Sequence, residues 1–95
     1  MIGHVVMFKF RPTASADERE QAVALLHSMK DKIKEIDIWK IGTQYAPSEK
    51  RWDVVEVATF PDEAALFKFQ AHPAHRELTD FTKEIADWHV VDYEF

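Results

Sequence analysis

The sequence predicts an α+β domain in the order β-α-β-β-α-β, with a four-stranded antiparallel sheet and its helices on one face. Three observations lead there. Four segments are rich in β-branched and aromatic residues, at 3–10 (GHVVMFKF), 36–45 (IDIWKIGTQY), 52–60 (WDVVEVATF) and 88–95 (WHVVDYEF). A stretch with helical periodicity lies between the first and second of them, and a second helical region lies between the third and fourth. The chain has 95 residues with only two glycines and four prolines, so it forms one domain over 1–95 with little room for linkers.

In the first strand His4, Val6, Phe8 and Phe10 share one face, and Val5, Met7 and Lys9 share the other. Both faces are largely apolar, which predicts cover on both sides. Pro12 to Ser15 breaks the strand, and Ser15 with Glu18 forms a capping box for a helix reaching about Lys34. Ala22, Val23, Leu26, Met29, Lys30 and Ile33 follow the helical repeat. Its acidic first turn and its lysine-rich last turn suit the helix dipole. After the second strand, Ala46 to Arg51 carries Pro47 and Ser48 and reads as a turn. In the third strand Trp52, Val54, Glu56, Ala58 and Phe60 alternate with Asp53, Val55, Val57 and Thr59. Pro61 ends it, and Asp62 caps a short helix through Gln70. Pro73 suits a first helical position, which predicts a further helix from 73 to about 87 with Leu78, Phe81 and Ile85 as its stripe. The last strand sets Val90 and Asp92 against Val91, Tyr93 and Phe95.

The order of elements is the ferredoxin-like arrangement. One sheet face is left without helices, and it is expected to hold Val5, Met7, Val54, Ala58, Val91, Tyr93 and Phe95. A face that apolar predicts a second copy packed against it, giving a homodimeric α/β barrel. Composition excludes several other partners. The formal net charge is −5, with positive charge spread along the chain, so nucleic acid has no electrostatic footing. There is no cysteine, which removes thiolate nucleophiles, disulfides and zinc–thiolate sites. No apolar run suits a signal peptide or a membrane span, and a cytoplasmic protein is the expectation.

The helix-covered face offers a candidate site. His4, Val6 and Phe8 come from the first strand, Val23 and Leu26 from the first helix, and Val90 and Asp92 from the last strand. The third strand adds either Asp53, Val55 and Val57 or the opposite set. Avoiding an unpaired Glu56 beneath the helices favours the first choice. His4, Asp53, His75 and Asp92 are then the polar groups of a mostly apolar space, the usual make-up of a small-molecule site. His75 falls in the first turn of its helix, where the dipole disfavours the imidazolium and an aspartate such as Asp92 favours it. A histidine so balanced can act as a base near neutral pH. The bland alternative is a structural hydrogen bond tying helix to sheet. His72 precedes a proline and caps the helix or bounds the site. His27 and His89 read as surface residues. Trp39, Trp52 and Trp88 read as core or interface rather than as a platform for a planar cofactor. His72 and His75 lack the companions of a metal site, so neither metal nor organic cofactor is expected.

The opening H-V-V-x-F-K-F, then F-P-D-E-A-A-L, H-P-A-H and the closing V-V-D-Y occur in this order over nearly the whole chain. Together they resemble the stress-responsive dimeric α/β-barrel (Dabb) family. The resemblance implies a ferredoxin-like monomer, a barrel-like homodimer and a pocket between sheet and helices. In a plant branch of that family a linear polyketide is cyclised by aldol condensation without metal or organic cofactor. Carried over, His75 is the base, Asp92 supports it and His4 lines the pocket. A tyrosine six residues before the base is replaced here by Phe69, which removes a phenol that could hold a substrate carbonyl. The reading that results is a small apolar, carbonyl-bearing ligand bound by His4, Val6, Phe8, Val23, Leu26, Asp53, Val55, Phe69, His72 and Phe81, with His75 and Asp92 catalytic. Two alternatives stand beside it. One is a non-catalytic dimer whose pocket Phe8, Phe69 and Phe81 fill, and the other is a cofactor-free monooxygenase on the same fold.

Overall fold

A computed structural model describes residues 1–46 and 48–95. Pro47, in the expected turn, lies outside the described residues. The elements are β1 (Ile2–Phe10), α1 (Ala16–Lys32), β2 (Ile38–Thr43), β3 (Val54–Phe60), α2 (Glu63–Ala71), α3 (Pro73–Thr82) and β4 (Ala86–Glu94). The sheet runs β2-β3-β1-β4, and each neighbouring pair is antiparallel. This is the ferredoxin-like topology that the sequence predicts.

Local chemistry sets the helix starts. The Ser15 hydroxyl accepts from the Glu18 amide at 3.1 Å, and the Glu18 carboxylate accepts from the Ser15 amide at 2.8 Å. Asp62 accepts from the Ala65 amide at 2.8 Å to open α2. His72 ends α2 in extended backbone, and its Nδ1 accepts from the Ala74 amide at 3.0 Å, with Pro73 next. His72 is therefore the cap of α3.

α3 stops at Thr82, short of the expected 87, and β4 starts at Ala86 rather than 88. The Arg11 amide donates to the Ile85 carbonyl at 2.8 Å and Ala86 pairs with Phe10, so the end of β1 draws the chain into the sheet. Ile85 fits a helical stripe and a strand entrance equally well, because either way it is buried.

Val6, Phe8 and Phe10 lie under the helices with Leu26, Met29, Leu66, Phe69 and Leu78. β3 adds Val54, Glu56, Ala58 and Phe60 to this face, the reverse of the expected choice. Val6 stands opposite Glu56, Phe8 opposite Val54 and His4 opposite Ala58, so these residues share a face by register. Phe60 and Ala58 end at 0% and 1% exposure. Burying the Phe60 ring contributes about 2–3 kcal/mol, and the opposite register would lose it. The Glu56 carboxyl that seemed to forbid this register has a partner, His4.

Val55 and Val57 consequently join Val5, Met7, Val91 and Tyr93 on the face without helices, while Val54 and Ala58 leave it. Met7, Val91 and Tyr93 are 42%, 54% and 44% exposed there, a broad apolar surface in one copy of the chain. The Tyr93 ring rests directly on Gly3, where a Cβ would overlap it.

Candidate functional site

His4 sits at the centre of the site because β1 is flanked on both sides. Asp92 of β4 is its direct cross-strand partner, and Glu56 of β3 is a diagonal one. His4 Nδ1 lies 2.5 Å from Asp92 Oδ1, and Nε2 lies 3.0 Å from Glu56 Oε2. The His4 and Glu56 side chains are 7% and 3% exposed, and that of Asp92 is 40%. The contact with Glu56 has ion-pair distance without hydrogen-bond alignment, so Oε2 remains a buried oxygen without an aligned donor. Burial alone would lower the pKa of His4, but its close contacts with Glu56 and Asp92 and their charge more than offset it, and the pKa rises. Burial pushes the Glu56 carboxyl up, against the pull of His4.

His75 lies in the first turn of α3. Its Nδ1 is 3.2 Å from the Gln70 carbonyl, which can only accept, so Nδ1 carries the proton and Nε2 keeps the lone pair. The Phe69 ring packs against it at 4.5 Å between centroids. Burial first, and then the charge of His4, hold the His75 pKa below the ordinary 6.5, while the Gln70 bond opposes them. At pH 7 His75 is a neutral imidazole with a basic nitrogen. The expected Asp92–His75 pair is not formed. Asp92 is spent on His4, its neighbour across the ladder, and a backbone carbonyl orients His75 instead.

Both histidines line one cavity of about 170 Å³. An apolar protein cavity of about 150 Å³ is enough to hold benzene, so the space suits a single ring. Its walls are Val6, Phe8 and Glu56 from the sheet, Leu78, Thr79 and Thr82 from α3, Gln70, and Trp88, Val90 and Asp92 from β4. The Thr79 and Thr82 hydroxyls donate to the carbonyls of His75 and Leu78.

Of the residues expected in the site, His4, Val6, Phe8, His75 and Asp92 come together here. Asp53 and Val23 line a separate open groove beside α1, and Asp53 accepts there from the Phe10 amide at 2.8 Å. Val55 is on the opposite sheet face, because the register of β3 sends it there. Leu26 is core at 1% exposure, too deep under α1 to reach the cavity. Phe69 is wholly buried behind His75 rather than on the cavity wall, and Phe81 packs half-buried at the edge of the core. The sequence reading missed Glu56, which a test of both β3 registers against His4 could have found. It also missed Leu78, Thr79 and Thr82 as a group, although they recur at helical spacing from His75. Among the described residues no cluster of His, Asp and Glu is arranged to hold a metal ion.

Fold and site together define a ferredoxin-like α+β protein with a ring-sized cavity between sheet and helices, walled by two histidines and two carboxyl groups. The chain belongs to the stress responsive A/B barrel domain (Dabb) family, which it matches over residues 2–95. An uncharacterized protein of Streptomyces coelicolor is 27% identical over 97 residues, covering 100% of both chains. A dimeric ferredoxin-like protein of unknown function from Thermobifida fusca superposes with a TM-score of 0.88 at 23% identity, covering 99% of this chain and 90% of that one. A hydroxynitrile lyase from Passiflora edulis gives 0.81 at 21% identity, covering 97% and 90%. No described helix is long and apolar enough to cross a membrane.

Proposed function

We propose that the protein is a homodimer that binds a compact, mostly apolar molecule bearing a carbonyl group, and that His75 removes a proton from the carbon beside that carbonyl. The observation that carries this reading is the tautomer of His75. It is held neutral with its lone pair on Nε2, at the wall of a cavity that fits one ring. The proton passes to Nε2 and the electron pair moves onto the carbonyl oxygen as an enolate. The raised pKa of His4, sustained by Glu56 and Asp92, favours positive charge at the same cavity, which opposes that developing anion. The dimer forms through the exposed face of Val5, Met7, Val55, Val57, Val91 and Tyr93. The Thermobifida fusca protein, described as dimeric on the same fold, supports that part.

Cyclohexanone in deuterium oxide tests the chemistry. Wild type is expected to accelerate exchange of the protons beside the carbonyl, followed by NMR. His75→Ala should lose about 10²–10⁴-fold of that rate while still binding the ketone. Equal exchange rates in the two proteins would refute His75 as the base.

A further inference from the structure

Beyond its support of His4, Glu56 has no part in the proton transfer at His75, and the fold alone does not call for it. It occupies the middle of β3, beneath the helices, at 3% exposure. Glu56 is one of the residues that line the cavity, and its Oε2, closed off from solvent, has no aligned hydrogen-bond donor although His4 Nε2 is only 3.0 Å away. The other ring nitrogen of His4 is committed to Asp92. Buried carboxyl oxygens are nearly always hydrogen-bonded, and the residue that carries this one borders the cavity.

The chemistry of a buried carboxyl narrows what can enter. A hydroxyl satisfies it in either state, donating to the carboxylate or accepting from the acid. A hydrocarbon of the same size leaves the oxygen unpaired. An anionic ligand meets two carboxyl groups, Glu56 and Asp92, on one wall. The volume of about 170 Å³ limits the rest of the molecule to about one ring.

We propose that Glu56 is the recognition residue of this cavity, selecting a single-ring alcohol or phenol over a hydrocarbon or a carboxylic acid of equal size. The proposal rests on the cavity being a ligand site and adds the class of ligand. A hydroxyl beside the carbonyl, or an enol form of it, then places the reacting group between Glu56 and His75.

Phenol, toluene and benzoate serve as probes, titrated by NMR into wild type, Glu56→Gln and Glu56→Leu. Wild type should bind phenol about ten- to a hundredfold more tightly than toluene, with benzoate weakest. Glu56→Gln should keep the preference for phenol, because an amide still donates and accepts. Glu56→Leu should reverse the order of phenol and toluene. Toluene binding wild type as well as phenol does overturns the role of Glu56 and leaves the cavity reading standing. No ring binding to wild type or to Glu56→Leu overturns both. Should Glu56→Leu fail to fold, the wild-type series with Glu56→Gln decides alone, since equal binding of phenol and toluene by wild type is already refutation.

Discussion

Phe69 joins the stability of the fold to the state of the proposed base. It is wholly buried, and its ring lies 4.5 Å from His75, 5.0 Å from Phe60, 5.7 Å from Trp39 and 5.8 Å from His4. Phe69→Ala removes the ring from the middle of four others, and such truncations cost about 3–5 kcal/mol. For a chain of 95 residues the whole stability is on the order of 5–14 kcal/mol. At roughly 4–8 °C per kcal/mol the midpoint temperature should fall by roughly 12–40 °C. Urea unfolding measures the change as a lower midpoint with an unchanged slope, and Phe69→Leu should lose much less. A second readout follows from the same packing. Burial is the main cause of the lowered His75 pKa, so opening the space behind the ring should move its NMR titration up toward 6.5. A stability loss under about 1 kcal/mol, or a His75 titration that stays in place, would show that Phe69 does not pack as described.

Two further predictions concern the other wall of the cavity and the exposed sheet face. His4 has a raised folded pKa, so its contribution to stability is fully present below 6.5 and is lost as pH rises through the folded value. Asp92→Asn removes one of the two groups that raise it. The stability gap between wild type and variant should therefore be widest below pH 6.5 and close as pH rises, with His4 titrating lower by NMR. His75 should shift only slightly upward, through the weakened charge of His4. A large change at His75 with none at His4 would sink the observed pairing. In Gly3→Ala the new Cβ displaces the far end of the Tyr93 side chain, which is 44% exposed as a whole. The expected result is a stability change under about 1 kcal/mol with clearly weaker self-association in sedimentation. Unchanged self-association would argue against that face as the dimer interface.

Most of the architecture was legible because it depends on local signals. The capping box of Ser15 and Glu18, the Asp62 cap and the Pro73 start are each written within four residues of sequence. The alternation in β1 was equally plain, since His4, Val6, Phe8 and Phe10 all fall inside. β3 was not, because one face carries Val54, Ala58 and Phe60, the other Val55 and Val57, and each also carries one carboxylate, Glu56 or Asp53. Choosing between them requires knowing that a buried Glu56 can meet His4, which is 52 positions away in the chain. The same blindness to long-range register assigned Asp92 to His75. Both residues were placed at the site, but the ladder between β1 and β4 sets Asp92 against His4 first.

In the proposed function Glu56, which the sequence reading set on the opposite sheet face, is the group that chooses the ligand. Stability gives little reason for a glutamate at position 56. Its burial raises its own pKa, its contact with His4 lacks alignment, and a leucine of similar volume would fill the same space. Buried charged clusters of this kind are commonly no more stable than well-packed apolar replacements, and removing one member alone leaves the others uncompensated. His4 and Glu56, with the half-exposed Asp92, form one such cluster at the edge of an otherwise apolar core. A fold needing only to close its sheet against its helices would place aliphatic residues at all three positions. In the proposed function the cluster serves what enters the cavity, and the other histidine lining it is His75, its pKa lowered and its Nδ1 facing the Gln70 carbonyl. Two sides of one small space thus have pKa values moved in opposite directions, up at His4 and Glu56 and down at His75. In the proposed function that contrast lets one wall oppose the developing anion while the other takes the proton.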